Sequence, residues 1–437
     1  MKKIYLILMS LGLLIGASGC QGEKAETIPP ATEVEPSDTP STSMPSISIP
    51  SASIPSASIP SISIPSISIP TPSIDDKVYT LSEAKDICSS VELSYKDNFI
   101  DKEISIRGKL IYHYAMPGSY HFMMMADNEI IFPVLIPSNS RLIKKYHVGK
   151  SYEIKGNVGS YRNLYTIRAM ADPKESSNIN VSLDNLAVDS SINDIYNSAY
   201  SLEIKENNST IANSLYKVSA TYVSKINDNL MMIFDGEKHI ILHGPDKLNN
   251  GFTKGMNYSF YVFPSVSQGK KSAEYVDSKC LNTLNEGYLA DIKAKAISMN
   301  VDDISRVDRY NDNKKLYPNI IKLNSYVMGL DINDNTHICL ADYVDSDPKW
   351  TQANKNPKVV FIKNHVLNDS NCIYSKLTAY YNHYVNGVNF ESNNNTDEAL
   401  VEYEMAKGDF YIIISEYQSE LHAYQAFMLD DLTMEIE

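Results

Sequence analysis

Arg107, Lys109, Lys155, Tyr161, Arg162 and Arg168 are the side chains of this sequence best suited to hold a ligand. Guanidinium and ammonium groups recognise phosphate and carboxylate oxygens, and a tyrosine ring presents a face on which a base can stack. Arg107 and Lys109 alternate along a strand pattern and so share a face. Tyr161 and Arg162 fall in the turn Gly159-Ser160-Tyr161-Arg162-Asn163. The same residues would also serve as an ordinary solvated surface whose long stems cover apolar neighbours. A formal charge of −14 weighs toward that plainer role and against general nucleic-acid binding.

Other constellations carry less chemistry. His239 and His243 lie on a strand pattern about 13 Å apart, too far to share one ion. His113, His121 and His383 have no partner at ligand spacing, which points to packing or surface roles. Asp331, Asn333, Asn335 and Asp342 fall at the ligand positions of a calcium loop. Thr336, however, stands where the turn needs glycine, and Asp342 replaces the bidentate glutamate. Met123-Met124-Met125 and Met231-Met232 suggest copper only until strand geometry is considered, since adjacent residues point to opposite faces. No Gly-rich phosphate loop, HExxH or GxSxG occurs, and scattered carboxylates define no acid–base pair. The sequence therefore points to a non-enzymatic protein with no catalytic residue, cofactor or resident metal.

The elements that must position these groups recur three times. Thr80-Leu81-Ser82-Glu83 is a capping box ahead of an apolar helical pattern that predicts a helix near 80–92. Alternation over 104–112 predicts a strand. Tyr120–Ala126 and Glu129–Ile136 read as a hairpin, Ser138–Tyr146 as a short helix, and Ser151–Val158 and Leu164–Ala171 as two further strands. Strand–strand–strand–helix–strand–strand is the order of a five-stranded OB barrel, in which the first and fourth strands are neighbours, so Lys155 can join Arg107 and Lys109. Ile226-Asn227-Asp228-Asn229 and Ile332-Asn333-Asp334-Asn335 each open an apolar strand ending in Asp, as Phe122–Asp127 does. Helical leads precede each unit at Leu81–Val91, Ile192–Tyr200 and Leu289–Met299. The expected architecture is mainly β: OB-like barrels at 76–175, 190–282 and 287–437, the third made irregular by inserts around 346–356 and 392–396.

The N-terminal region is of another kind. Lys2 and Lys3 precede an apolar run from Ile4 to Ile15, followed by Ala17-Ser18-Gly19-Cys20. The run is too short for a spanning helix, which needs about 20 residues. The segment resembles a bacterial lipoprotein signal peptide, with Ala17 where most such sites have Leu. That resemblance implies cleavage after residue 19 and a diacylglyceryl thioether on Cys20. Residues 20–75 then read as a disordered stalk, in which Pro-Ser-Ile-Ser-Ile and Pro-Ser-Ala-Ser-Ile units repeat between Pro45 and Pro70. The expected location is the extracytoplasmic face of a cell membrane, with the lipid as the membrane partner.

Ile104-Ser105-Ile106-Arg107-Gly108-Lys109-Leu110 and Gly149-Lys150-Ser151-Tyr152-Glu153-Ile154-Lys155-Gly156, with the leading helix, resemble the tRNA_anti-like OB domains of exported bacterial proteins and lipoproteins. The resemblance covers about a quarter of the chain well and implies a binding module without catalytic residues. The expected ligand is a glycan, peptide or protein. Two alternatives stand beside it: anion or single-stranded nucleic-acid binding by the basic face of the first unit, and a structural spacer or assembly subunit of the envelope. Charge is polarised. Between Glu391 and Glu437 twelve acidic residues face Lys407 alone. Cys88 reads as a buried thiol, and Cys339 and Cys372 are close enough in sequence for a bridge within the last unit.

Overall fold

The computed structural model describes residues 77–115, 120–201, 210–227, 229–244, 251–267, 270–306, 316–331, 337–342, 360–362, 372–418 and 423–433. Cys20 and the stalk lie outside them, as do Asn333 and Asn335 of the calcium-loop pattern. Among the described residues no helix is long and apolar enough to cross a membrane.

Three barrels of five strands follow one another. The first comprises β1 (Asn98–Ala115), β2 (Tyr120–Ala126), β3 (Ile131–Pro137), β4 (Ser151–Tyr161) and β5 (Leu164–Ala169). Its sheet runs β1-β2-β3-β5-β4 and closes through β1 and β4. The second is built from β6 (Tyr216–Asn227), β7 (Leu230–Phe234), β8 (His239–His243), β9 (Met256–Ser267) and β10 (Lys270–Leu284), and the third from β11 (Ile321–Asp331), β12 (His337–Ala341), β13 (Val360–Ile362), β14 (Lys407–Gln418) and β15 (Ala423–Met428). Both repeat the order and the closure of the first. In each, only the contact between third and fifth strands is parallel. This is the topology of an OB barrel, and the third unit possesses it despite its inserts.

A short parallel strand and a helix lead into each barrel: α1 (Leu81–Cys88), α2 (Ile192–Ser201) and, in the third, α4 (Val301–Arg306), which follows α3 (Tyr288–Lys295). Thr80 caps α1 with the full capping box. The aspartate that ends each second-strand motif supplies another cap. Asp127 accepts from Leu81 N at 3.3 Å, Asp235 from Ile192 N at 2.9 Å, and Asp342 from Val301 N at 2.9 Å and Asp302 N at 2.8 Å. A carboxylate on the unsatisfied N–H groups of a helix start joins helix to hairpin. Asp342 thus caps a helix. It also corrects the third helical lead, because the helix it caps is α4, while α3 at the expected place packs against the second barrel.

Alternate residues of the second strands face opposite ways, and both faces are buried. Met123 and Met125 enter the first barrel's core with Phe132, Val134 and Ile154, whereas Phe122, Met124, Leu135 and Tyr112 lie outside it against Ile211, Leu215, Tyr261 and Phe263 of the second unit. The pattern repeats one barrel on. Met231 and Ile233 point inward, and Met232 and Phe234 pack on Tyr288, Ile292, Tyr317, Tyr411 and Ile413. The third barrel is covered differently. There a helical hairpin, α5 (Cys372–Ser392) and α6 (Thr396–Met405), covers Met328, Cys339 and Ala341 with Tyr384, Ala399 and Tyr403. This hairpin, absent from the expected elements, sits between the third and fourth strands, where the first barrel has only the 3-10 turn Arg141–Lys145. Cys339 is a buried free thiol beneath it, so the bridge to Cys372 does not form.

One polar cluster interrupts the first interface. Glu274 of β10 is fully enclosed, accepting from Tyr112 Oη of the first barrel at 2.7 Å and from Ser265 Oγ at 2.8 Å. Burial raises its pKa above the usual carboxylate range, and the nearby His243 pulls the other way. A carboxyl whose folded pKa exceeds its unfolded one adds stability that is complete below the unfolded value and is lost as pH rises through the folded value. Melting temperatures measured from pH 4 to 8 should therefore fall less steeply for Glu274→Gln than for the parent chain. Asp235→Ala should cost about 0.5–2 kcal/mol in denaturant unfolding, the value of a helix cap.

Candidate binding rim of the first barrel

The turn between β4 and β5 consists of Arg162 and Asn163, with φ of 50° and 59°. Positive φ at both residues is the signature of a type I′ hairpin turn, whose twist matches that of its strands. Asparagine tolerates this backbone; arginine does so at a cost. Ser94 and Tyr95 hold the turn from outside, their carbonyls accepting from Asn163 N at 2.9 Å and Arg162 N at 3.3 Å. Arg162 lies over two rings, 5.9 Å from Tyr95 and 5.5 Å from Tyr161, and its Nε donates to Tyr161 Oη at 3.3 Å.

Around this turn the 94–99 segment and three strands converge. Gly159 makes that possible, since a Cβ there would collide with the backbone of Asn98 and the ring of Phe99. Phe99 thereby crosses β4 and meets Arg168, whose guanidinium lies 4.7 Å from the ring centre. Tyr120 donates to Asp97 Oδ2 at 2.7 Å, and its pKa is raised by burial first and by that carboxylate second. Arg168, also bonded to Tyr120, opposes the rise. The Tyr95 hydroxyl and Arg168 Nε are buried with no hydrogen-bond partner among the described residues. Two arginines edged by aromatic rings, with donors left over, are suited to an anionic or acceptor-rich group set against a ring.

The six expected ligand residues thus separate. Tyr161, Arg162 and Arg168 come together at the rim. Tyr161, only 9 % exposed, packs edge-on to Tyr120 and stacks on Phe122, so its ring has no open face for a base. Arg107, Lys109 and Lys155 occupy the outer face of β1 and β4, about 20–33 Å from Tyr161 along the strand, although Arg168, opposite Asn157, lies only two positions from Lys155. Arg107 bonds the Ser177 carbonyl and hydroxyl, Lys155 pairs with Glu103 at 2.7 Å, and Lys109 is half-buried opposite Ser151. Lys145 and Lys150, from the same basic stretch, pair with Asp172 and Glu175. Local acids answer much of the basic surface. Tyr95, Asp97, Phe99 and Tyr120 were not anticipated. The first three lie between the predicted helix and strand, where only the Tyr-x-Asp-x-Phe alternation hinted at a strand entry.

Equivalent registers explain why Lys155 is where it is. Ile154, Phe260 and Phe410 are core residues opposite Ile106, Val218 and Leu323. The next position outward is Lys155, Tyr261 or Tyr411. The two tyrosines pack into the preceding barrel, while the first barrel carries a solvated lysine. Among the described residues no three His, Cys, Asp or Glu side chains converge to hold a metal.

No family model matches this chain, and no curated protein matches it. It is similar to several solved structures. These include the Ifi202 HINa domain in complex with 20bp dsDNA, at 14 % identity over 42 % of this chain and 96 % of that one, with a TM-score of 0.22. A murine DNA binding protein bound with ds DNA is 10 % identical over 40 % of this chain and 93 % of that one, with a TM-score of 0.21. An Entamoeba histolytica aspartyl tRNA synthetase is 12 % identical over 26 % and 28 %, with a TM-score of 0.17. At these scores the strand order and closure alone define the fold.

Arg162→Gly removes a side chain from a backbone that favours glycine. It should raise stability by about 1 kcal/mol, measured by urea unfolding, if the arginine is kept for something other than folding.

Proposed function

We propose that this protein is a lipid-anchored, non-enzymatic binding protein of the extracytoplasmic face, holding its ligand at the Arg162–Arg168 rim of the first barrel. The observation that carries the proposal is Arg162 itself, kept in left-handed backbone over Tyr95 and Tyr161. Non-glycine residues held at positive φ cluster at functional sites, because the surrounding structure must offset their strain. The rim suits a carboxylate or phosphate attached to a ring or to an extended chain, as in an acidic glycan or peptide.

Binding along the face of strands two and three, where OB folds take oligonucleotides and oligosaccharides, finds little support. In all three barrels residues of that face pack under apolar side chains. The same coverage favours a second reading, an envelope spacer or assembly subunit, in which the barrels serve mainly as a body carried on the Cys20 stalk. The tRNA_anti-like resemblance fits either role.

Two measurements separate them. The full chain should be screened against arrays of acidic glycans, peptides and single-stranded oligonucleotides. A ligand whose affinity falls at least tenfold in both Arg162→Gly and Arg168→Gln, with stability retained, supports the rim. No ligand on any array favours the spacer. Labelled-lipid incorporation should disappear in Cys20→Ser; its persistence would remove the anchor from the proposal.

A further inference from the structure

The first barrel contains a pair of histidines that sequence spacing kept apart. β1 and β2 pair so that His113 faces Met123 and Ala115 faces His121. His121 also lies opposite Ile136 on β3. Met123 and Ile136 are both in the barrel core, so alternation sets His113, His121 and Met123 on one face, the interior one. The two imidazole centroids are 5.3 Å apart with planes inclined by 32°. The hairpin that joins their strands thus brings together two histidines that have no partner at ligand spacing in the sequence.

Two imidazoles bound to one ion through bonds of about 2.0–2.1 Å place their ring centres roughly 5–6.5 Å apart, depending on the angle at the metal. The observed separation falls in that range. His121 Nδ1 is buried and has no hydrogen-bond partner among the described residues. A polar nitrogen in an apolar barrel without a partner is costly, and a metal ion relieves that cost. A thioether shares this face with the two imidazoles. Met123 is fully buried, directly across from His113 and two residues on from His121. Imidazole suits several metals, but a thioether in a site without carboxylates selects a soft, low-charge ion.

We propose that His113, His121 and Met123 form a binding site for copper(I). The site is independent of the rim and stands or falls separately from it. Nothing is oxidised or reduced in the proposal; the ion binds and the protein supplies three neutral donors.

The test uses the full chain carrying Cys280→Ser, which removes the exposed free thiol among the described residues that would compete for the ion. Copper(I) is titrated anaerobically against bathocuproine disulfonate while the imidazole nitrogen resonances of His113 and His121 are followed. Both sets of resonances should move together and saturate at one equivalent. His121→Asn and Met123→Leu should each weaken that site at least tenfold. Met123→Leu nearly conserves volume, so it tests the sulfur with little risk to the core, and circular dichroism melts confirm folding. Copper(I) that leaves the two imidazoles unmoved would overturn the site. Binding unchanged in Met123→Leu would overturn the three-donor assignment, as would zinc(II) binding with equal affinity.

Discussion

The second strand of each barrel is apolar on both faces, so placing one face inside its own barrel obliges something outside to cover the other. Met123 and Met125 go in while Phe122 and Met124 stay out; Met231 and Met232 divide the same way. At about 25 cal/mol per Å², an aromatic or methionine left in water is a cost that each unit transfers to the next. The second unit covers the first, the third covers the second, and the α5–α6 hairpin covers the third. Along the described residues the chain behaves as a short repeat array in which each unit needs a neighbour to cover it. The first barrel carries a solvated lysine, Lys155, where the second and third carry Tyr261 and Tyr411, and a pair of helices covers the third.

This dependence shapes what is left for binding. The barrels spend on each other much of the surface that related folds offer to ligands. What remains open is a margin, and there the structure holds Arg162 in an unfavourable backbone, leaves the Tyr95 hydroxyl unanswered and sets two guanidinium groups over rings. Ion pairs such as Lys155–Glu103 and Lys150–Glu175 are exposed and contribute little stability. They do cancel the basic stretch that composition alone suggested.

Much of the fold was legible because local rules and tertiary structure agree. The capping box at Thr80, the hairpin around Asp127 and the Ile-Asn-Asp-Asn repeats stand where their turn and cap chemistry puts them. The terminal aspartates were read as part of a repeat, but their purpose required a helix over forty residues away in the chain to fold back onto them. The α5–α6 hairpin was missed although Ile373, Leu377, Tyr380 and Tyr384 recur at helical spacing, because the third unit was read as strands with inserts. The site was less legible than the fold. Arg162 and Arg168 were found from residue type. Tyr95, Asp97 and Phe99 were not, since their convergence depends on a bare Gly159 backbone. His113 and His121 were dismissed because proximity across a hairpin is a matter of register, not of spacing.

The order in which the covers arrive matters for a chain made from its N-terminus. When the first barrel is complete at Ala169, the residues that will shield Phe122 and Met124 are still unmade, Phe263 among them 94 positions ahead. Each barrel in turn waits for its successor, and the wait ends only when the helical hairpin is in place. Until then an adhesive apolar face is on display, open to any neighbouring nascent chain. A barrel that cannot be finished alone is also a barrel that cannot safely be produced alone. The quality of the whole molecule is therefore decided near its C-terminal end, by two helices that stand far from the rim.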